Sequence, residues 1–367
     1  MTEIPATMRS LVAPRKCGPE GYEIQELPVP RIALPTQVLI RIHYAGINTS
    51  ELQLAADQMG IIYKPQYPHQ VGLEGAGVIV AVGPEVKNLK VGDEVYGMYV
   101  DKPMFRTPPP GFASEYAVAE ERFLLLKPSH LSFEDAASLS AMTVATYQAL
   151  RRGLQLMGEE SLEGKTLYVP GGLSSSGCLT IQLARNVFGV SHIISTVSSP
   201  KIPLVEKYLP GMIDVLIDYQ TQKLHDVVPK HSVDFVLNTQ PSTFDEGIPL
   251  LKPDTGVLIS LNAIPTRETA KAIIGEDRFS WWIGLALDLA QLIYKWKLRG
   301  TSIKYEFVSG GVEIREDLEK AGEFIALGKV RPVKRTADLN DIEAVREGCN
   351  QVFTGKGGTG KFVLKIV

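Results

Sequence analysis

Cysteine is nearly absent, with three in 367 residues (Cys17, Cys178 and Cys349). There is no CxxC pair and no Cys/His cluster at metal-ligand spacing, so this chain alone cannot build a structural zinc site of four thiolates. Excess positive charge is absent too. The formal net charge is -3 and no Lys/Arg-rich run occurs, which argues against nucleic acid or an anionic membrane as a partner. A long apolar run is also missing. The nearest, WWIGLALDLAQLIYKW at 281–296, is interrupted by Asp288 and Gln291 and falls short of the roughly 20 apolar residues needed to span a bilayer. A buried or interface helix is expected there. The opening MTEIPATMRSLVAPRK has no apolar core of a secretory signal, and a cytoplasmic protein is the expectation.

What is present is the composition of an ordinary globular protein, 44% hydrophobic and 22% charged, with 33 Gly and 24 Pro. A chain of 367 residues fits two domains at roughly 100–200 residues each. Residues 37–47 (QVLIRIHYAGI) alternate apolar and polar in part, and 76–82 (AGVIVAV) is a short apolar run between glycines; both predict strands. Pro and Gly punctuate the chain to about residue 130, so residues 1–130 read as a β-rich, barrel-like domain. At Ser132 the rhythm changes: Ser132 and Asp135 suit a helix start before a run of helix formers. Strand and helix then alternate through TLYVPG, LTIQLARNVFG, HIISTVSS, LVEKYL, DVLIDY, VDFVLNT and GVLISL. That order predicts a doubly wound parallel sheet over 131–305. Residues 306–367 are expected to rejoin the first domain.

Between the first of these strands and its helix, residues 166–189 carry the turn GGLSSSG. Such a turn aims backbone N–H groups and the positive end of a helix at a pyrophosphate. Gly171, Gly172 and Gly177 allow close backbone approach, and Ser174, Ser175 and Ser176 add hydroxyls, although Ser174 stands where strict G-x-G-x-x-G spacing wants a glycine. A ribose-reading residue is due about 20 residues on, and Ser198 lies 21 residues after Gly177. No Asp or Glu follows that strand. Ser198, Ser199 and Lys201 suit a 2′-phosphate instead, so NADPH rather than NADH is the expected cofactor; a plain strand end with a solvated lysine is the other reading.

Together with AGINTSEL at 45–52 and VGLEGAGVIVAVGPEVKNLKVGDEVYG at 71–97, this turn resembles the zinc-independent branch of the medium-chain dehydrogenase/reductase superfamily. That branch holds quinone oxidoreductases, enoyl reductases, fungal zinc-binding oxidoreductase-like proteins and trans-acting enoyl reductases. The resemblance runs over nearly the whole chain and implies an α/β protein, a GroES-like β-barrel catalytic domain plus a Rossmann cofactor domain. Zinc-dependent relatives place a Cys and a His-Glu pair where this chain has Asn48 and Leu73-Glu74, and Glu74 alone cannot hold zinc. The family's Pro-Ser-Asp is replaced by Thr49, Ser50 and Glu51.

Without a metal, hydrogen-bond donors must polarise a carbonyl while the nicotinamide reduces an electron-poor carbon. Conjugate reduction of an enone or enoyl group, or of a quinone, suits such a site. Asn48 could hold substrate or ribose, or be a turn residue. Tyr63 matches a tyrosine lining the nicotinamide pocket in relatives, with ordinary packing as its other reading. Thr143, with Thr146 beside it, matches a threonine at the nicotinamide or packs a helix. Tyr219 matches a tyrosine by the adenosine phosphate. His43, His69 and His130 lack partners at recognisable spacing, and Ser174 to Ser176 lack a hydrolase G-x-S-x-G frame.

The expected function is NADPH-dependent reduction of a small electron-poor alkene or quinone. Two enzyme alternatives stay open: a trans-acting enoyl reductase on a carrier-bound acyl chain in polyketide secondary metabolism, or a redox-neutral cyclase. A non-catalytic NADPH-binding protein is the alternative from another class, and both a monomer and a homodimer stay open. The near-match to a triphosphatase loop at 355–362, GKGGTGKF, follows a probable helix and leads into the terminal FVLKIV. Phe362 also removes the magnesium ligand, so an ATPase is excluded. The resemblance instead gives Lys361 an approach to bound NADPH.

Overall fold

The alternating run at 37–47 folds as the strand Gln37–Ile47 in a computed structural model that describes residues 4–60, 63–104, 111–240 and 243–367. These residues divide into two units. One takes its residues from Met1–Ala141, Val312–Gly322 and Lys334–Val367, the other from Met142–Gly311 and Glu323–Val333.

In the first unit, Gln37–Ile47 pairs antiparallel with Glu74–Val82 along one edge. Tyr116–Glu120 and Lys361–Lys365 share its other edge. Glu94–Met98, Leu124–Leu126 and Lys334–Asp338 complete a seven-stranded sheet, and a three-stranded one joins Glu23–Pro28, Thr7–Ala13 and His69–Gln70. The alternating apolar residues Val38, Ile40 and Ile42 point into a core with Leu11, Phe112 and Leu364, as the period of two requires. The β-rich domain read from the sequence is what forms.

The second unit is built on six parallel strands, labelled in chain order β1 (Thr166–Val169), β2 (His192–Val197), β3 (Val215–Asp218), β4 (Phe235–Asn238), β5 (Val257–Ser260) and β6 (Lys304–Phe307). Their spatial order is 3-2-1-4-5-6, the doubly wound arrangement whose ligand crevice lies at the carboxyl ends beside β1, where the order reverses. Because Lys304–Phe307 pairs with β5, the chain stays with this sheet past residue 305 and returns to the first unit at Val312.

The tryptophan-rich segment forms the helix Trp281–Lys297. Of the buried or interface helix expected there, burial within its own unit is only partial. Ile283 and Gly284 are buried, whereas Trp281, Trp282, Leu289 and Trp296 are exposed. Apolar content predicted a covered helix, but it could not say how much of the helix its own domain covers. Among the described residues no helix is long and apolar enough to cross a membrane.

Candidate active-site residues

Three neighbouring strands of the first unit converge on one buried polar cluster. Glu74 pairs with Gly46 on one side of Gln37–Ile47 and Val363 pairs with Gly46 on the other. Extending the Phe362–Ile47 pairing by one residue sets Lys361 opposite Asn48. Lys361 Nζ donates to Glu74 Oε2 and to Asn48 Oδ1, both at 2.6 Å. Glu74 Oε1 accepts from the Ser140 hydroxyl at 2.8 Å and the Ala141 N–H at 2.7 Å. With side chains 3% and 0% exposed, lysine and glutamate form a fully desolvated pair, which persists only because each oxygen and the ammonium find partners.

Gly46 makes this pair possible. A Cβ there would lie 2.3 Å from the Ala137 carbonyl oxygen and 2.8 Å from Lys361 Cε, so the lysine stem crosses the strand over a residue without a side chain. Gly46→Ala is expected to cost about 1–3 kcal/mol by overpacking, read as a shift of the urea midpoint at unchanged m-value. An unshifted midpoint would mean that the lysine stem does not depend on this gap.

Asn48 stands at the N-cap position of the helix Thr49–Ala55, yet its side chain makes no capping bond. Its Nδ2 instead faces Glu74 Oε2 at 3.3 Å and Glu51 Oε2 at 3.4 Å. Both amide hydrogens are thus directed at carboxyl oxygens and one carbonyl lone pair at Lys361. What remains is an acceptor. Asn48 is therefore suited to hold a ligand hydroxyl or N–H rather than to polarise a carbonyl.

Glu51 is buried and accepts from the Leu73 N–H at 3.1 Å. Burial pushes its carboxyl up to about 8, against the downward pull of Lys361 and of the Asn48 hydrogen bonds, with Glu74 adding a smaller upward push. At neutral pH Glu51 is predominantly the uncharged acid, and its Oε1 meets no hydrogen-bond partner among the described residues. Neither Glu51 nor Glu74 was singled out as a working residue from the sequence. The available signal was an acid isolated in an apolar or glycine-rich run, SELQLAA and VGLEGAGV, where acids are seldom buried without a partner.

The zinc of metal-dependent relatives does not fit here. Its site needs thiolate, imidazole or carboxylate ligands, whereas this cluster offers an amide and an ammonium ion bonded to the carboxylate that would have to serve. Among the described residues no group of three or more His, Cys, Asp or Glu could hold a metal.

Tyr63 is half-buried, its ring centroid 6.0 Å from that of His69. Burial raises the phenol above its usual value and lowers His69 to about 4. His69 is thus a neutral, packed residue. His43 stacks on Phe133 with centroids 4.4 Å apart, and His130 is exposed. Thr143 and Thr146 are buried on the helix Ser140–Met157. The Thr146 hydroxyl returns to the Met142 carbonyl at 2.6 Å.

In the second unit the turn after β1 has the form read from the sequence. Gly171 has φ +67°, and a Cβ on Gly177 would lie 2.2 Å from the Gly171 carbonyl oxygen. The first glycine sets the turn and the last lets helix and strand close up. Ser174 caps the helix Ser175–Asn186, its Oγ accepting from the Gly177 N–H at 3.0 Å, and an accepting hydroxyl still has its O–H to donate. The Ser175 and Ser176 N–H groups stand at the first two helical positions, where no intrahelical acceptor exists. The Ser175 hydroxyl oxygen is buried with no partner among the described residues. That orphan, on a helix start at the switch point of the sheet, fits a dinucleotide pyrophosphate.

Ser198, Lys201 and Tyr219 gather at the ends of β2 and β3, where the Tyr219 N–H donates to the Val197 carbonyl at 3.1 Å. Asp218 joins them, which sequence spacing along β2 alone did not reveal. Its carboxylate accepts from the Ser199 hydroxyl at 2.5 Å and the Gln220 N–H at 3.0 Å. Those bonds, led by the serine, hold it below the usual carboxylate range.

Comparison with known proteins places this architecture. Residues 34–129 match the alcohol dehydrogenase GroES-like domain. A 2-methylene-furan-3-one reductase of Solanum lycopersicum is 36% identical over 197 residues, which is 54% of this chain and 48% of that protein. An NADPH-dependent alkenal/one oxidoreductase, chloroplastic, of Arabidopsis thaliana is 32% identical over 63% of this chain and 58% of its own length. The chain thus spans about half the length of these curated relatives. The quinone oxidoreductase structure from Coxiella burnetii superposes with a TM-score of 0.76 at 20% identity, covering 98% of this chain and all of that one.

Proposed function

Because the chain belongs to the medium-chain dehydrogenase/reductase superfamily and resembles its quinone oxidoreductases and enoyl reductases, we propose that it is a zinc-independent, NADPH-dependent reductase of activated C=C bonds in enones or enoyl compounds, or of quinones. The observation that carries this reading is the Asn48–Lys361–Glu74 cluster, whose donor set suits an organic ligand and not a metal. Substrates whose developing charge spreads onto a remote oxygen need the least electrophilic help.

The dinucleotide, when bound, supplies the reducing equivalents. The N–H groups of Ser175 and Ser176 and the Ser175 hydroxyl hold its pyrophosphate, beside the backbone of Gly171, Gly172 and Gly177. Ser198 and Lys201 bind the 2′-phosphate, with Tyr219 by the adenosine. Asn48 accepts from a ligand hydroxyl or N–H and is held in that orientation by Lys361. Tyr63 serves as hydrogen-bond donor to the substrate, Thr143 flanks the nicotinamide, and Lys361 acts through Asn48 rather than by touching the cofactor.

A panel of enals, enones, quinones and acyl thioesters, followed at the NADPH absorbance, tests the assignment. Oxidation of NADPH with at least one enone or quinone is expected, and a protein that binds NADPH yet turns over none of the panel would be a binding protein instead. Ser198→Ala/Lys201→Ala is expected to raise the KM for NADPH by about 10- to 100-fold, the equivalent of one to two lost charged contacts, while that for NADH barely moves. Tighter binding of NADH than NADPH by the unaltered protein would sink the cofactor assignment.

A further inference from the structure

All three tryptophans of the chain lie on the helix Trp281–Lys297, and all three face outward. Trp281, Trp282 and Trp296 are 76%, 52% and 60% exposed, and Leu285, Leu289, Leu292 and Ile293 between them are about half exposed. At 100° per residue these side chains fall within an arc of roughly 120° that contains no polar residue. The opposite side is taken by the helix's own unit: Ile283 and Gly284 are buried, and Tyr294 packs its ring 4.9 Å from Phe244 and 5.0 Å from Tyr305. The stripe offers on the order of 800 Å² of exposed side chain, above the roughly 300–600 Å² of the largest apolar patch on an ordinary monomer. A surface of this extent is an interaction site.

What borders the stripe identifies what covers it. Residues 295–299 read KWKLR, which gathers three cations at the end of the helix. On the helical projection Lys297 stands roughly 40° beyond one edge of the stripe and Lys295 roughly 40° beyond the other. The Arg299 guanidinium lies 4.9 Å from the centre of the Trp296 ring. The one acid of the helix, Asp288, is paired with Arg267 and so presents no uncompensated negative charge. Lys297 is paired with Asp245, whereas Lys295 and Arg299 are exposed. The tryptophans stand at the two ends of the stripe, roughly 22 Å apart along the axis, and indole favours a boundary between an apolar and a wet phase. Cations on both flanks of an apolar face, with tryptophan at both ends, match a lipid surface: acyl chains take the leucines, and anionic headgroups meet the cations.

The net charge of -3, which argues against an anionic membrane for the chain as a whole, does not decide this local contact. Charges farther than roughly 8 Å away are largely screened at physiological salt, so the headgroups meet the field of the helix end rather than that of the whole protein. We propose that the helix Trp281–Lys297 docks the protein on an anionic lipid surface. It lies in the plane of the interface, with Leu285, Leu289, Leu292 and Ile293 among the acyl chains and Lys295 and Arg299 among the headgroups. Since no helix among the described residues is long and apolar enough to cross a membrane, this helix rests on the surface rather than spanning it. This inference does not depend on the chemistry assigned to the active-site residues.

Because this helix holds every tryptophan of the chain, intrinsic fluorescence reads this surface alone. Vesicles of phosphatidylcholine and phosphatidylserine in roughly 7:3 proportion, added to the full chain, are expected to shift the emission to the blue and to carry the protein with them in flotation. Brominated acyl chains in the same vesicles are expected to quench it. Pure phosphatidylcholine vesicles are expected to bind about 30-fold less tightly, and so is Lys295→Ala/Arg299→Ala on the mixed vesicles, the effect of two lost headgroup contacts. Leu289→Glu is expected to weaken binding by about 100-fold, by losing a buried leucine and setting a charge among acyl chains, with circular dichroism unchanged. Should that variant fold poorly, the surface pair Lys295 and Arg299 still carries the test. Unshifted emission without flotation, equal binding to pure phosphatidylcholine, or undiminished binding of the double variant would each overturn the proposal. So would emission that is blue without lipid and moves to the red on dilution, the sign that another protein surface covers the stripe.

Discussion

Lys361→Met is expected to lower the unfolding free energy by about 3–5 kcal/mol, the cost of leaving one member of a buried ion pair uncompensated. The Glu74 carboxylate would keep its bonds from Ser140 and Ala141 but lose its bond from the Lys361 ammonium at 2.6 Å. Glu74→Gln should cost a similar amount by stranding the ammonium. The double variant should lose much less than the sum, because a neutral glutamine still accepts from Ser140 and Ala141 and no charge stays buried. Urea unfolding of the four proteins in a double-mutant cycle gives the coupling directly. Additive losses would show that the two side chains do not act as a pair. Because Lys361 also fixes the Asn48 amide, kcat/KM of the folded Lys361→Met variant is expected to fall by about 100-fold, the scale of an ångström-level misplacement.

Stability is expected to fall as pH rises from about 4.5 to about 8, and Glu51→Gln should remove much of that fall. The Glu51 carboxyl titrates near 8 when folded and at about 4.3 when unfolded. Its folded value is raised, so its contribution is fully present below the unfolded value and is lost as pH climbs through the folded one. In between, unfolding releases a proton, with a slope of about 1.4 kcal/mol per pH unit. The summed effect is on the order of 3–5 kcal/mol. The stability of Glu51→Gln relative to the parent should therefore improve steadily through that window and level off above it. Urea melts at half-unit pH steps measure this, and two parallel curves would mean that Glu51 is ionised in the folded protein at neutral pH.

Much of the architecture was legible because it rests on local rules. The alternation at 37–47, the Ser132–Asp135 start and the repeated strand–helix order each reflect periodicity or capping within one segment. The GKGGTGKF loop belongs with them: the helix Ile342–Thr354 ends at Gly355 in the left-handed conformation, and the strand Lys361–Lys365 follows. Residues that act across long sequence separations were only partly legible. Asn48 and Lys361 could be named, but their meeting with Glu74 depends on strand register, and the donor or acceptor role of Asn48 depends on that meeting.

By itself the sequence determined the two-domain α/β plan, the glycine turn of the nucleotide-binding sheet and the absence of a zinc ligand set, since these follow from short-range periodicity and residue chemistry. Only the tertiary structure decided that Glu74 and Lys361 form a buried pair over Gly46, that Glu51 is buried beside them with its carboxyl pushed up, that Asp218 joins Ser199, and that the tryptophan helix faces outward. Each of those depends on what a side chain is brought against by distant strands and how much water is excluded there, which no local pattern specifies.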